Sequence, residues 1–266
     1  MNRLILFLSL VAATIWISVF SVDNKLHLIA CDVGQGDAIL IQKNTTQILI
    51  DGGPSNKVLD CLGNYMPFWD HSIELVILTH PQEDHYGGLI NVFKNYKIQM
   101  FGEYSHNSSN KSYEVLRNLV GSMSIDTISL VDGTAIRLGK IYLDIVWPNI
   151  LTSSNNVNDD GVVTLLKYGQ FKALFTADVE NEVSDEISKN INIENIDYLK
   201  VNHHGSKNGL SQKLLDKTNP DVAVISSKKG NSYGHPHMEI LKMLTEKNIQ
   251  ILRTDQMGDI DYVVKK

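Results

Sequence analysis

With 266 residues, 43% hydrophobic and 20% charged, the chain is long enough for one large or two small domains and too apolar to stay disordered. A net charge of −6 excludes a global electrostatic pull toward nucleic acid. Within residues 200–230, however, Lys200, Lys207, Lys213, Lys217, Lys228 and Lys229 face only Asp216 and Asp221, a local basic patch compatible with a phosphate-bearing substrate.

In chain order, Arg3 precedes an uncharged apolar run at residues 4–22, long enough to span a bilayer and also shaped like a signal peptide, with Val19 and Ser21 as small residues before a cleavage point. Residues 1–23 are therefore expected to be a membrane anchor or leader, and residues 24–266 a domain outside the cytoplasm, membrane-held or secreted. Next, "KLHLIACDVGQGDAILIQ" reads as strand, Gly-rich turn and strand, and "TTQILIDGGP" as a third strand ending at Asp51. Helical spacing covers residues 55–66. A strand at 73–79 stops at a polar cluster, followed by a helix over 88–96 with Leu89, Val92, Phe93 and Tyr96 on one face.

A loop at 105–111 leads to a helix at 113–120, then to short strands through "TISLVDGTAIRLGKIYLDIVWP". After the polar stretch "TSSNNVNDDG", "VVTLLKYGQFKALFTAD" predicts a hairpin running to Asp178, with a helix over 180–189 behind it. "IDYLKVNHHGS" and "PDVAVISS" read as strands, and the chain closes with a helix at 238–247 and a strand at 250–254. Strands with interspersed helices in two similar halves predict an α/β sandwich. Cys31 and Cys61 have no zinc-type spacing; two buried free thiols are expected, with a disulfide in an oxidising compartment as the alternative.

Several strands thus end in residues able to ligate metal: His80, Asp84 and His85; Asp178; His203 and His204; and His235. Loops at strand ends are where α/β proteins place chemistry, and imidazole with carboxylate suits zinc, manganese or iron. His27, His71 and His106 read as structural.

The segment "THPQEDHYGG" resembles the HxHxDH signature of the metallo-β-lactamase fold. With "DVGQGDAILI", "LIDGG", "FTAD", "LKVNHHGSK" and "YGHPH" in order, residues 26–261 resemble its ComEC-type branch, the nuclease-like domain of the bacterial DNA-uptake channel. The resemblance implies a four-layered αββα sandwich with one or two divalent ions, manganese or zinc. It implies a first site of His80, Gln82, Asn158 and Asp178, and a second of Asp84, His85, His235 and Asp178, with Asp178 bridging both and Asp51 orienting the histidines. Gln82 and Asn158 depart from the family's imidazoles, which favours a harder ion in the first site.

The expected activity is metal-assisted hydrolysis of a phosphodiester, with DNA as the partner. Asp84 and Asp178 would carry the metal chemistry, and His203 or His204 would protonate the leaving oxygen. Gly36, Asp37, Lys200, Ser206 and Lys207 would contact substrate. Two rivals are a secreted hydrolase of small esters, lactones or β-lactams, which needs an apolar pocket, and a degenerate module that binds nucleic acid or a partner without cutting. The single apolar run is too few spans for a DNA-conducting channel.

Overall fold

The computed structural model describes residues 5–11, 16, 22–104, 111–149 and 156–265. Much of the expected 1–23 anchor lies outside these residues, as do His106 and most of the 105–111 loop. No helix among the described residues is long and apolar enough to cross a membrane.

The first half forms β1 (Leu26–Ala30), β2 (Ile39–Lys43), β3 (Thr46–Ile50), helix α1 (Lys57–Tyr65), β4 (Ser72–Leu78), the one-turn helix α2 (Glu83–Tyr86), α3 (Leu89–Asn95), β5 (Lys97–Glu103), α4 (Lys111–Ser122) and β6 (Asp126–Ser129). The second half forms β7 (Ala135–Leu138), β8 (Ile141–Trp147), β9 (Val163–Tyr168), β10 (Phe171–Phe175), α5 (Asn181–Ile187), β11 (Tyr198–Lys200), α6 (Gln212–Thr218), β12 (Val222–Ile225), α7 (Met238–Glu246), β13 (Gln250–Arg253), α8 (Thr254–Met257) and β14 (Ile260–Val263). The two seven-stranded sheets run β14-β1-β2-β3-β4-β5-β6 and β13-β12-β11-β10-β9-β8-β7. The last strand crosses back to pair antiparallel with β1, so the C-terminus closes the first sheet.

Alternation along the strands makes the layers. Leu75 and Ile77 of β4 join Leu28, Ile41, Leu143, Leu166 and Phe175 in the core between the sheets. Val76 and Leu78, on the opposite face, pack with Val58 and Leu62 of α1, Leu89 and Phe93 of α3, and Leu116 of α4. Leu165, Leu174, Leu199 and Ala223 do the same against α5, α6 and α7. A stretch buried on both faces has to be apolar, which is why residues 75–78 of β4 read as a continuous hydrophobic run while Ser72 and Glu74 sit at its half-buried start. The result is the expected αββα sandwich, and the helices expected from spacing sit within about two residues of their expected ends.

The cysteines overturn their expectation. Cys31, just past β1, and Cys61, on the buried face of α1, form a disulfide with Cα atoms 5.8 Å apart. Their pairing depends on where α1 lands on the sheet, which spacing along the chain does not encode.

Candidate metal centre

Strands β3 to β6 run parallel, as do β10 to β13. Their carboxyl ends open on one edge of the sandwich, the place where open α/β sheets bind ligands. β4 delivers Thr79 and His80 there, and α2 carries Asp84 and His85. Asp178 follows β10. His203 and His204 follow β11 in a tight turn, both in the left-handed region (φ 47° and 53°), a costly conformation for residues with a Cβ. His235 comes from the loop after β12.

Four of these side chains converge. The ligand atoms of Asp84, His85, Asp178 and His204 lie within 4.8 Å of one another. His85 Nε2 is 3.4 Å from Asp178 Oδ2, and His204 Nε2 is 3.3 Å from the same oxygen and 3.5 Å from Asp84 Oδ2. Both rings are tied from behind. His85 Nδ1 donates to Asp51 Oδ2 at 2.8 Å, and Asp51 is itself fixed by the Thr79 amide (2.8 Å) and hydroxyl (2.7 Å). His204 Nδ1 donates to the Ser226 carbonyl at 3.1 Å, with Asp37 Oδ1 3.5 Å away. With Nδ1 engaged on the outside, Nε2 is the nitrogen each ring presents inward, the arrangement expected of metal-binding histidines.

The inward atoms are costly as they stand. His85 Nε2, His204 Nε2 and Asp178 Oδ1 are buried without a hydrogen-bond partner. Such atoms carry a desolvation penalty that a cation would answer, and the mixed N/O donor set suits zinc, manganese or iron. The residues present therefore fit a divalent ion.

The electrostatics agree. Burial opposes charge on His85, but the Asp178 and Asp51 carboxylates outweigh it and hold the imidazole well above its usual range. Burial likewise opposes charge on His204, which Asp178 and Asp37 hold well above the usual range. Asp178, against its burial, is held well below the carboxylate range by His204 and His85. His235 goes the other way. Burial, then the neighbouring His204, His203 and His237, push it down to about 4, so its ring is neutral at physiological pH.

The remaining expected ligands are arranged differently. His80 packs against His85 with ring centroids 4.1 Å apart and planes tilted by 51°, and its Nδ1 lies 3.0 Å from Thr79 Oγ1. Gln82 Nε2 donates to Asn158 Oδ1, so that bond engages the Asn158 oxygen that the expected first site would offer to an ion. His235 sits beside the four-residue cluster, its ring 6.4 Å from that of His204. It is His204, expected as an acid, that joins the group expected to contain His235.

Two of the expected substrate contacts, Lys200 and Gly36, are placed as follows. Lys200 is 1% exposed, and its Nζ lies 2.7 Å from Asp37 Oδ2, so this pair is an interior brace behind His204 and is closed to substrate. The Lys200 ammonium drives Asp37 far below the carboxylate range against the pull of its burial. At Gly36 a Cβ would meet the Asp84 carbonyl oxygen at 2.2 Å, so only glycine lets the turn that was expected to offer backbone amides pack on α2. Ser206 is buried, and Lys207 is exposed with its amide donating to His237 Nδ1 at 3.1 Å. Neither lines the cavity over the cluster. That cavity, of about 350 Å³, is lined chiefly by Gln35, Gln82, Glu83, His203, Tyr233 and His235. Sequence reading missed Thr79, Gln35 and His237. Thr79 had a signal, a hydroxyl directly before the ligand cluster, whereas Gln35 and His237 acquire meaning only once their loops meet.

No protein-family model matches the chain. It is 27% identical to ComE operon protein 3 of Bacillus subtilis over 88% of this chain and 32% of that protein. It is 29% identical to Recombination protein 2 of Haemophilus influenzae over 86% of this chain and 28% of that one. To competence protein ComA of Neisseria gonorrhoeae it is 24% identical over 90% of this chain and 32% of that one. The chain thus spans about a third of the length of these relatives. Among solved structures, the metallo-β-lactamase-fold protein YhfI of Bacillus subtilis superposes with a TM-score of 0.61 at 14% identity, over 89% of this chain and all of that one. The chain is a metallo-β-lactamase-fold protein. Over most of its length it is homologous to competence proteins of the ComEC, ComA and Rec2 kind.

Proposed function

We propose that this protein is a divalent-metal-dependent phosphodiesterase acting on DNA outside the cytoplasm. The observation that carries the reading is the buried Asp84/His85/Asp178/His204 cluster, whose unsatisfied inward atoms lie under a polar, open cavity. Homology to competence proteins supports DNA as the substrate. The cavity favours this over a small-ester or β-lactam hydrolase, because apart from Pro54 and Tyr233 its lining residues all carry hydrogen-bonding or ionisable side chains and none is aliphatic. The disulfide supports an oxidising, extracytoplasmic location, consistent with residues 1–23 acting as an anchor or leader.

When bound, the ion supplies Lewis acidity toward a phosphoryl oxygen and lowers the pKa of a bound water. Asp84, His85, Asp178 and His204 would hold it, with His80 next to His85. Asp51 and Thr79 fix the His85 ring, and Asp37 with the Ser226 carbonyl fixes His204. His203, 23% exposed and with Nε2 3.9 Å from Asp178, stands where it can give a proton to the leaving oxygen. Neutral His235, across from it with ring centroids 5.6 Å apart, can accept one.

The mutual bond of Gln82 and Asn158 favours one tightly held ion over two. The test is turnover of labelled DNA and of bis(p-nitrophenyl) phosphate with manganese, zinc or magnesium, alongside metal analysis after dialysis. Hydrolysis with about one retained equivalent is expected. DNA binding without hydrolysis under all three metals would replace the reading with that of a binding module.

A further inference from the structure

Resting on the phosphodiester reading, we infer that a second cavity, lined by Lys57, Lys228 and Lys229 and continuous with the metal cleft, is a binding track for the single strand that flanks the bond to be cut. This cavity, of about 660 Å³, shares Gln35 and Pro54 with the metal cleft. Gln35 is the seam. Its Nε2 lies 3.5 Å from His235 Nδ1 in the cleft, and its Oε1 accepts from the Lys228 amide at 3.3 Å in the next cavity. A ligand leaving the metal cleft along this seam meets the lysines next.

The charge pattern selects a polyanion. Lys57, Lys228 and Lys229 are exposed, and no carboxylate among the described residues pairs with them; Lys57 Nζ reaches only the Asp32 carbonyl oxygen, at 3.5 Å. Of the two acids lining the cavity, Asp255 is taken by a two-point bond to Arg253 (2.9 and 2.7 Å), which leaves Asp32. By contrast, Lys213 and Lys217 of the same basic stretch are bonded to Asp185 and Glu194. Helix α1 begins at this cavity with no side-chain cap, so the positive end of its dipole adds to the three ammonium groups.

The aromatic residue at the cleft selects an unpaired strand. Tyr233 is 65% exposed and stacks on His235 (centroids 5.6 Å, planes 27° apart), leaving a ring face toward the cavity mouth. Exposed ring faces bind unstacked bases, which a duplex keeps covered.

The probe is a fluorescein-labelled 12-nucleotide single strand, bound to the whole 266-residue chain in non-ionic detergent with EDTA present, so that binding is read by anisotropy without cleavage. Substituting Lys57, Lys228 and Lys229 together by Ala should lower the slope of log affinity against log salt by about 2, since each lost phosphate contact on a single strand accounts for about 0.7. The triple Arg variant should keep the wild-type slope, and Tyr233→Ala should weaken binding about tenfold. An unchanged slope in the Ala variant overturns the track, as does wild-type affinity equal for duplex and single strand with no effect of Tyr233→Ala. If the track fails while bis(p-nitrophenyl) phosphate is still hydrolysed, the proposed activity survives alone. If the track holds and no metal supports hydrolysis, the activity falls and the track stands as a strand-binding site.

Discussion

The two halves of the metal edge solve the same problem in opposite ways. On one side, Gln82 donates to Asn158 and occupies the oxygen that Asn158 would offer to an ion. On the other, His85, His204 and Asp178 are anchored from behind by Asp51, Thr79, Ser226 and Asp37, yet keep buried inward atoms unsatisfied. A fold sheds such a penalty where it can, so its retention in one half and removal in the other marks where binding energy is expected to be recovered.

The sharpest way to break this contrast is Asp178→Ala, which removes the carboxylate facing both His85 and His204. Turnover should fall by about a thousandfold or more, with retained metal lost, measured by steady-state hydrolysis and metal analysis. The same substitution at the amide half, Asn158→Ala, should leave both readouts within a few-fold of wild type.

Removing a support rather than a ligand comes next. Lys200→Met leaves Asp37 buried without its lysine partner behind His204 and should cost about 3–5 kcal/mol of stability, seen as a lower denaturant midpoint. Adding Asp37→Leu should restore most of it, because a buried pair replaced by apolar residues is often close to neutral.

A pH series separates the cluster's two states. His85 and His204 are held above the usual imidazole range, so a metal has to displace a proton from each. Below those raised values affinity should climb with pH, by up to about a hundredfold per unit for two protons, as read by competition titration. Stability of the metal-free protein should run the opposite way. The contribution of these imidazoles is fully present below about pH 6.5 and is lost as pH rises through their folded-state values.

The smallest expected effect is a gain. Gln82→His breaks the amide pair and should raise zinc retained after dialysis from about one equivalent toward two. Unchanged content would show that position 82 does not face an ion.

Much of this was legible from the chain alone. The strand endings exposed His80, Asp84, His85, Asp178 and His204 because apolar runs buried on both faces end abruptly in polar groups. The role of Asp51 was readable through the resemblance of its motif. What stayed hidden depends on register between distant strands. Lys200 and Asp37 stand 163 positions apart, and only the stacking of the two sheets turns an apparent phosphate contact into an interior pair. The exchange of His204 for His235 within the cluster follows from the left-handed turn at 203–204, whose backbone angles carry no pattern in residue types.

The disulfide has a practical consequence for anyone producing this protein. It closes a 30-residue loop that contains the Gly36 turn, Asp37 and Asp51, and it fastens the helix that begins at Lys57. Closing a loop of that length removes about 3–4 kcal/mol of chain entropy from the unfolded state. Material made in a reducing cytoplasm would lack that cross-link around the very supports of the metal ligands. Such preparations should be easier to melt and quicker to lose a bound ion than oxidised ones, and low activity in them would say little about the native protein.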